Sequence, residues 1–217
     1  GLTLTDLGRN LADGTVTSDD FISDFIVQHT IPNEFIENEE IINQYRNHGI
    51  SIKPLVIIVE TLGELSKIQD QGFLLPEEVI KILVPLSVLD ATLKSADYAK
   101  AVMQYRTNSS LADKLPDCTP RKNDKRFVRE HLLFLKNFDV LNVVFDNSQR
   151  DHNLRERYSL SELGIEILDA KTALPKLNAF KATWGHVPKA NGDISNESQR
   201  HTRKDWMKEF KWDAVRF

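Results

Sequence analysis

Apolar residues recur at steps of three and four along most of the first 137 positions and alternate in only a few short stretches, so the chain reads as mostly α with small β-hairpins. Leu2-Thr3-Leu4-Thr5-Asp6-Leu7-Gly8 alternates like the end of a strand and turns into a helix at Thr5, a hydroxyl cap followed by an acid. A strand needs a partner, so one is expected before Gly1, and the first unit is expected to be N-terminally truncated. Thr17-Ser18-Asp19-Asp20 caps a second helix with Phe21, Ile22, Phe25 and Ile26 on one face, ending before Pro32. Residues 33–50 are polar and read as irregular. Pro54 suits the first turn of a deeply buried helix carrying Leu55, Ile58, Val59, Leu62 and Leu65, with Gly72 as a stop. Leu75-Pro76-Glu77-Glu78 begins another, with Val79, Ile80 and Leu83 facing inward until Pro85 disturbs it. A helix from Ser95 to about Arg106 follows, and residues 107–120 read as a linker.

The next segment changes the picture. Thr119 and Pro120 open a helix running to about Asn137, with Phe127, Val128, Leu132, Leu135 and Phe138 available for a core face. A strand, Val140 to Phe145, leads through the polar turn Asp146–Asn153 to a second strand near Arg157–Leu160 and a helix capped by Ser161. Helix, strand, long hairpin, strand, helix is the order a winged helix requires. Leu160-Ser161-Glu162-Leu163-Gly164 also repeats the pattern of Leu4-Thr5-Asp6-Leu7-Gly8, with an apolar residue closing each copy at Ile167 and Leu11. Its content is a hairpin exit: a hydroxyl cap, an acid at the positive helix end, Leu into the core, and Gly where helix and strand pass closely. Two copies predict tandem winged-helix (helix-turn-helix) subdomains: residues 1–106, a linker at 107–120, a second unit at 121–170, and a basic C-terminal extension at 171–217.

Composition bounds the function. With 217 residues, 41% of them hydrophobic, the chain can bury a substantial core. The longest apolar run, Leu55–Val59, falls far short of the roughly 20 residues that cross a bilayer, and no signal pattern opens the chain, so a cytoplasmic protein is expected. Cys118 is the single cysteine, which excludes an internal disulfide and a cysteine-cluster zinc site. The formal net charge is -4, but residues 1–120 carry 9 Lys+Arg against 18 Asp+Glu, whereas residues 121–217 carry 19 against 14. Phosphate neutralisation needs clustered cations rather than a basic total, so this asymmetry fits a polyanion-facing surface; a solvated basic face has the same composition.

On the helix after Thr119, Lys122, Lys125, Arg126, Arg129 and Lys136 recur at steps of three and four, or multiples of them, a cationic stripe opposite the apolar one. Arg121, Lys122, Asn123, Lys125 and Arg126 stand at the front of that helix, where a winged helix enters the major groove; Arg and Lys read guanine and Asn reads adenine. Gln149, Arg150, His152, Asn153, Arg155 and Arg157 of the hairpin would follow the backbone or minor groove, although any soluble hairpin tip is polar. Arg203 and Lys204, among Trp206, Phe210 and Trp212, clamp phosphates or dock the tail on the core. Glu209-Phe210-Lys211 with Asp193 upstream has the spelling of a magnesium nuclease, but Trp206, Phe210 and Ala214 repeat as on a helix, with no strand to carry the pair. The histidines show no metal-binding spacing, and neither a phosphate-cradling glycine loop nor a nucleophile elbow occurs. No catalytic residue and no metal or other cofactor are therefore expected in this chain.

Leu4 to Ala12, Asp20-Phe21 leading to Pro32-Asn33, Ser51-Ile52-Lys53-Pro54-Leu55-Val56-Ile57-Ile58, and Tyr158 to Gly164 carry a family resemblance. Over residues 2 to about 170 the chain resembles the DNA-recognition half of Type IIS restriction and nicking endonucleases of the AlwI kind, with an architecture similar to the FokI and BpuJI recognition domains. The resemblance implies two winged-helix subdomains reading an asymmetric double-stranded site, joined by a flexible segment to a separate magnesium-dependent nuclease domain. It further implies a bacterial, monomeric recognition fragment that is not itself catalytic. The chain departs from that pattern in lacking a recognition helix in the first unit and a nuclease domain. Winged helices also serve as protein-interaction modules, and the acidic half suits a protein partner, so this reading stands beside DNA recognition.

Overall fold

The computed structural model describes residues 6–32, 39–47, 49, 51–119 and 122–173. The expected strand at Leu2–Thr5, its partner before Gly1, and the extension beyond Ala173 lie outside them. Helices α1 (Asp6–Ala12), α2 (Ser18–Gln28), α3 (Glu39–Asn47) and α4 (Pro54–Ser66) come first. The α2 cap is the reciprocal one that Thr17 and Asp20 predict: the Asp20 amide donates to Thr17 Oγ1 at 3.1 Å, and the Thr17 amide donates to Asp20 Oδ2 at 3.4 Å. Helix α3 forms where irregular chain was expected. Its apolar signal is short, with Ile42 buried, and acids in its first turn and Arg46 in its last suit the helix dipole.

Helix α4 is buried on nearly every side, from Pro54 to Leu65, as its run of aliphatic residues demands. After it, α5 (Pro76–Glu78) passes directly into a π-turn (Val79–Leu83) and α6 (Val84–Leu89). The disturbance predicted at Pro85 takes this form: the Val84 amide reaches back five residues to the Val79 carbonyl, and the widened turn absorbs the donor that proline lacks. Helix α7 (Ser95–Thr107) leads into a 3-10 turn (Ser109–Lys114) capped by Asn108. The segment read as a linker is packed rather than open: Leu111, Ala112 and Leu115 lie against the core, and Cys118 and Thr119 are each 1% exposed. One hydrophobic cluster runs from Ile22 through α4 to Val128, Leu141 and Ile167, so the core does not divide at residues 107–119.

Helix α8 (Lys122–Asn137) buries Val128, Leu132 and Leu135, while Phe127, expected in the core, is 38% exposed. It ends at Asp139 in the left-handed region (φ 56°), and the Val140 amide closes the turn on the Leu135 carbonyl at 2.9 Å. Strands β1 (Leu141–Phe145) and β2 (Glu156–Leu160) pair antiparallel, with Val143 opposite Tyr158. Between them α9 (His152–Arg155), capped by Asp151, occupies part of the segment expected to be a plain polar turn. Leu74 forms two hydrogen bonds with Tyr158, at 2.8 and 2.9 Å, so β2 is flanked by β1 on one side and by Leu74 on the other. Ser161 caps α10 (Glu162–Ala173) as predicted, accepting from the Gly164 amide at 3.0 Å while its hydroxyl donates to the Asp139 carbonyl.

Gly164 is required by proximity: a Cβ there would run into the Val140 carbonyl oxygen and touch Leu160. Gly164→Ala is expected to cost about 2 kcal/mol, because a backbone carbonyl cannot move aside as a side chain can. Urea unfolding measures this, and an unchanged midpoint would show that α10 docks less tightly than the geometry says.

Candidate nucleic-acid interface

The predicted cations divide according to what they touch. On α8, Lys125 and Arg126 are exposed. Arg126 Nε meets Glu130 Oε1 at 2.9 Å, but both side chains face water, at 75% and 45% exposure. Such a pair contributes little and is readily exchanged for a phosphate. Arg129 differs. Its Nη2 donates at 2.6 Å to Oε1 of Glu156, a carboxylate 4% exposed, so the stripe loses this member to a buried ion pair. Lys122 and Asn123 open α8, but their side chains lie outside the described residues, as do Arg121, Arg203 and Lys204.

In the hairpin, Gln149 and Arg150 are exposed at the tip and His152 is exposed on α9. Arg155 Nη2 donates to Asn147 Oδ1 at 2.9 Å with its guanidinium 5.4 Å from the exposed Phe145 ring. Arg157 Nη2 donates to Asp146 Oδ2 at 3.0 Å and lies 5.2 Å from the Phe73 ring. The Asp146 carboxylate is held below its ordinary range by the hydroxyl and amide of Ser148 and by Arg157, so Arg157 keeps a charged partner. Arg129 is thus held inside the protein, whereas Arg157 pairs with Asp146 while staying exposed, at 47%; the polar side chains presented to solvent include Lys125, Arg126, Gln149, Arg150, His152 and Arg157.

These two groups border each other. His152 Nδ1 stands 3.7 Å from the same Glu156 oxygen that holds Arg129, so the middle of α8 meets α9, and Lys125 and Arg126 lie one turn from that junction. Sequence reasoning missed Glu156 and the exposed pair Val144 and Phe145, at 63% and 50% exposure. The alternation at 140–145 marks a strand but does not say where it runs out of core. Among the described residues, no group of three or more His, Cys, Asp or Glu gathers as a metal site, and no helix is long and apolar enough to cross a membrane.

Among the described residues the fold is mostly helical with a two-stranded antiparallel hairpin, and it is similar to that of a solved endonuclease binding domain. That structure is a crystal structure of pyrene- and phenanthrene-modified DNA in complex with the BpuJ1 endonuclease binding domain, similar at 16% identity and a TM-score of 0.55. The similarity covers 93% of this chain and 66% of that one, so the chain spans just under two thirds of the other's length. No family model and no curated protein matches the sequence.

Proposed function

We propose that this chain is a sequence-specific recognition module for double-stranded DNA, belonging to a Type IIS restriction endonuclease, in which α8 lies in the major groove and the hairpin follows the phosphates. The observation that carries the reading is the combination of a fold similar to a DNA-bound endonuclease binding domain with exposed Lys125 and Arg126 beside the exposed hairpin tip. In this reading, residues 54–160 make one winged helix: α4 as its first helix, Leu74 as the short first strand, α5 to α6 as the second helix, α8 as the recognition helix, and β1–β2 as the wing. Helix α7 and the 3-10 turn are then an insertion between the second and third helices. Cleavage is assigned to a separate magnesium-dependent nuclease domain, and this chain acts as a non-catalytic monomer in a bacterial cytoplasm.

Binding to a fluorescein-labelled duplex, followed by anisotropy over a range of salt concentrations, tests the proposal. Affinity should fall steeply as salt rises, and Lys125→Ala should reduce the slope of log affinity against log salt by about 0.9, one phosphate contact. Salt-independent or absent binding favours a protein-interaction module instead. Supercoiled plasmid incubated with the chain and magnesium should remain intact; nicking by this chain alone would overturn the non-catalytic assignment.

A further inference from the structure

Resting on that reading, we propose that Glu156 is a positioning residue for DNA recognition, which withholds Arg129 from the duplex and fixes how α8 and the hairpin present their exposed cations. Positions 122, 125, 126 and 129 share one helical face, so an unconstrained helix would offer all four charges together. Two arginines on this helix each have a glutamate partner, and burial decides what each can do. Arg126 and Glu130 are both bathed in water, so either can change partners with little loss. Glu156 has both oxygens occupied inside the protein: Oε1 by Arg129 at 2.6 Å and by His152 at 3.7 Å, and Oε2 by the Tyr158 hydroxyl at 2.8 Å.

A buried carboxylate that loses its guanidinium is left charged and poorly solvated, whereas the attraction of a surface phosphate for the same guanidinium is screened by water and salt. Arg129 therefore stays on Glu156 when DNA arrives. The pair also has a geometric consequence. Glu156 opens β2, and two residues on, Tyr158 is hydrogen-bonded to Leu74 through its backbone. The carboxylate thus ties the middle of α8 to β2 and to α9, and adds a polar contact to the turn at Val140 that already joins the end of α8 to β1.

The test compares unmodified protein, Glu156→Gln, Arg129→Gln and the double variant, by salt-dependent binding to a labelled duplex of mixed sequence. Glu156→Gln keeps a hydrogen-bonding group toward Tyr158 and Arg129 but removes the charge. It should bind mixed-sequence duplex more tightly, with a salt slope steeper by about 0.9, as Arg129 joins the phosphate-facing set. Arg129→Gln should leave the slope as it is, and the double variant should return to the unmodified value. A purely structural ion pair would lower stability without moving any slope. The inference is overturned if the slope is unchanged in a folded Glu156→Gln protein, or if Arg129→Gln alone reduces it, which would place Arg129 on a phosphate already. Where Glu156→Gln does not fold, Glu156→Asp, whose shorter carboxylate stays charged but reaches Arg129 less well, takes its place: a steeper slope is expected, and an unchanged one overturns the inference. Absence of salt-dependent binding by the unmodified chain overturns the DNA reading and this inference together, an outcome distinct from a normal slope that Glu156 does not affect.

Discussion

Glu78→Ala is expected to lower the unfolding free energy by about 3–5 kcal/mol, a large part of the roughly 5–15 kcal/mol that holds a domain folded. Glu78 is 1% exposed and receives both arms of Arg106, Nε on Oε1 at 2.7 Å and Nη2 on Oε2 at 2.9 Å, and also the Leu75 amide on Oε2 at 2.9 Å. The remaining Arg106 donors go to the Phe73 carbonyl at 2.6 Å and to Gln71, and the Phe73 ring lies 4.1 Å from the guanidinium. Removing the carboxylate leaves a largely buried cation without its counter-ion and the Leu75 amide, at the N-cap of α5, without its acceptor, which is why the loss exceeds that of an ordinary salt bridge. Urea unfolding of Glu78→Ala, Arg106→Met and the double variant checks this, and the double variant should be less destabilised than the two single losses summed. A loss below about 1 kcal/mol for Glu78→Ala would mean that the network is idle. Because Phe73 also lies beside Arg157, and Leu74 is hydrogen-bonded to Tyr158, weakening this network loosens the hairpin from behind.

The features legible in the sequence are those whose cause is local. Thr17 and Asp20 three residues apart, Pro54 before an aliphatic run, Ser161 before Gly164, and alternation from Val140 to Phe145 each state their own structure, and α2, α4, the α10 cap and β1 follow from them. The stripe on α8 is legible for the same reason, since helical spacing alone places Lys125, Arg126 and Arg129 together. What spacing cannot reveal is which of those cations is already engaged. Arg129 meets Glu156 across 27 positions and Arg106 meets Glu78 across 28, and no periodicity links residues so far apart. Leu74 is invisible as a strand because a single bridging residue has no alternation to display. The packing of Leu111, Leu115 and Cys118 is hidden by the prolines and serines around them, which mark an irregular backbone but say nothing about whether it lies on a core.

Acidification should remove stability through a second internal contact, one that joins the N-terminal helices to α8. Phe21, Phe25 and the C-cap His29 of α2 face Phe134 and His131 of α8 and Phe138 just beyond it in a ladder of rings, with Phe25 and Phe134 centred 5.1 Å apart and the two imidazoles 5.6 Å apart. Burial, and then the neighbouring His131, lowers His29 from its ordinary 6.5 to about 4, and burial lowers His131 as well. The unfolded chain takes up these protons near pH 6.5 while the folded chain resists them, so stability is intact above that pH and declines as the pH falls toward about 4. Each pH unit within that window removes about 1.4 kcal/mol per histidine at most, and partial exposure of His29 brings its total to about 2–3 kcal/mol. His29→Phe extends the ring stack without a titrating nitrogen. It should match the unmodified protein to within about 1 kcal/mol at neutral pH and lose less stability on acidification. Urea unfolding by far-ultraviolet circular dichroism, repeated down to about pH 5.5, where ordinary carboxylates remain largely ionised, measures the difference; equal losses in both proteins would show that the acid sensitivity arises elsewhere.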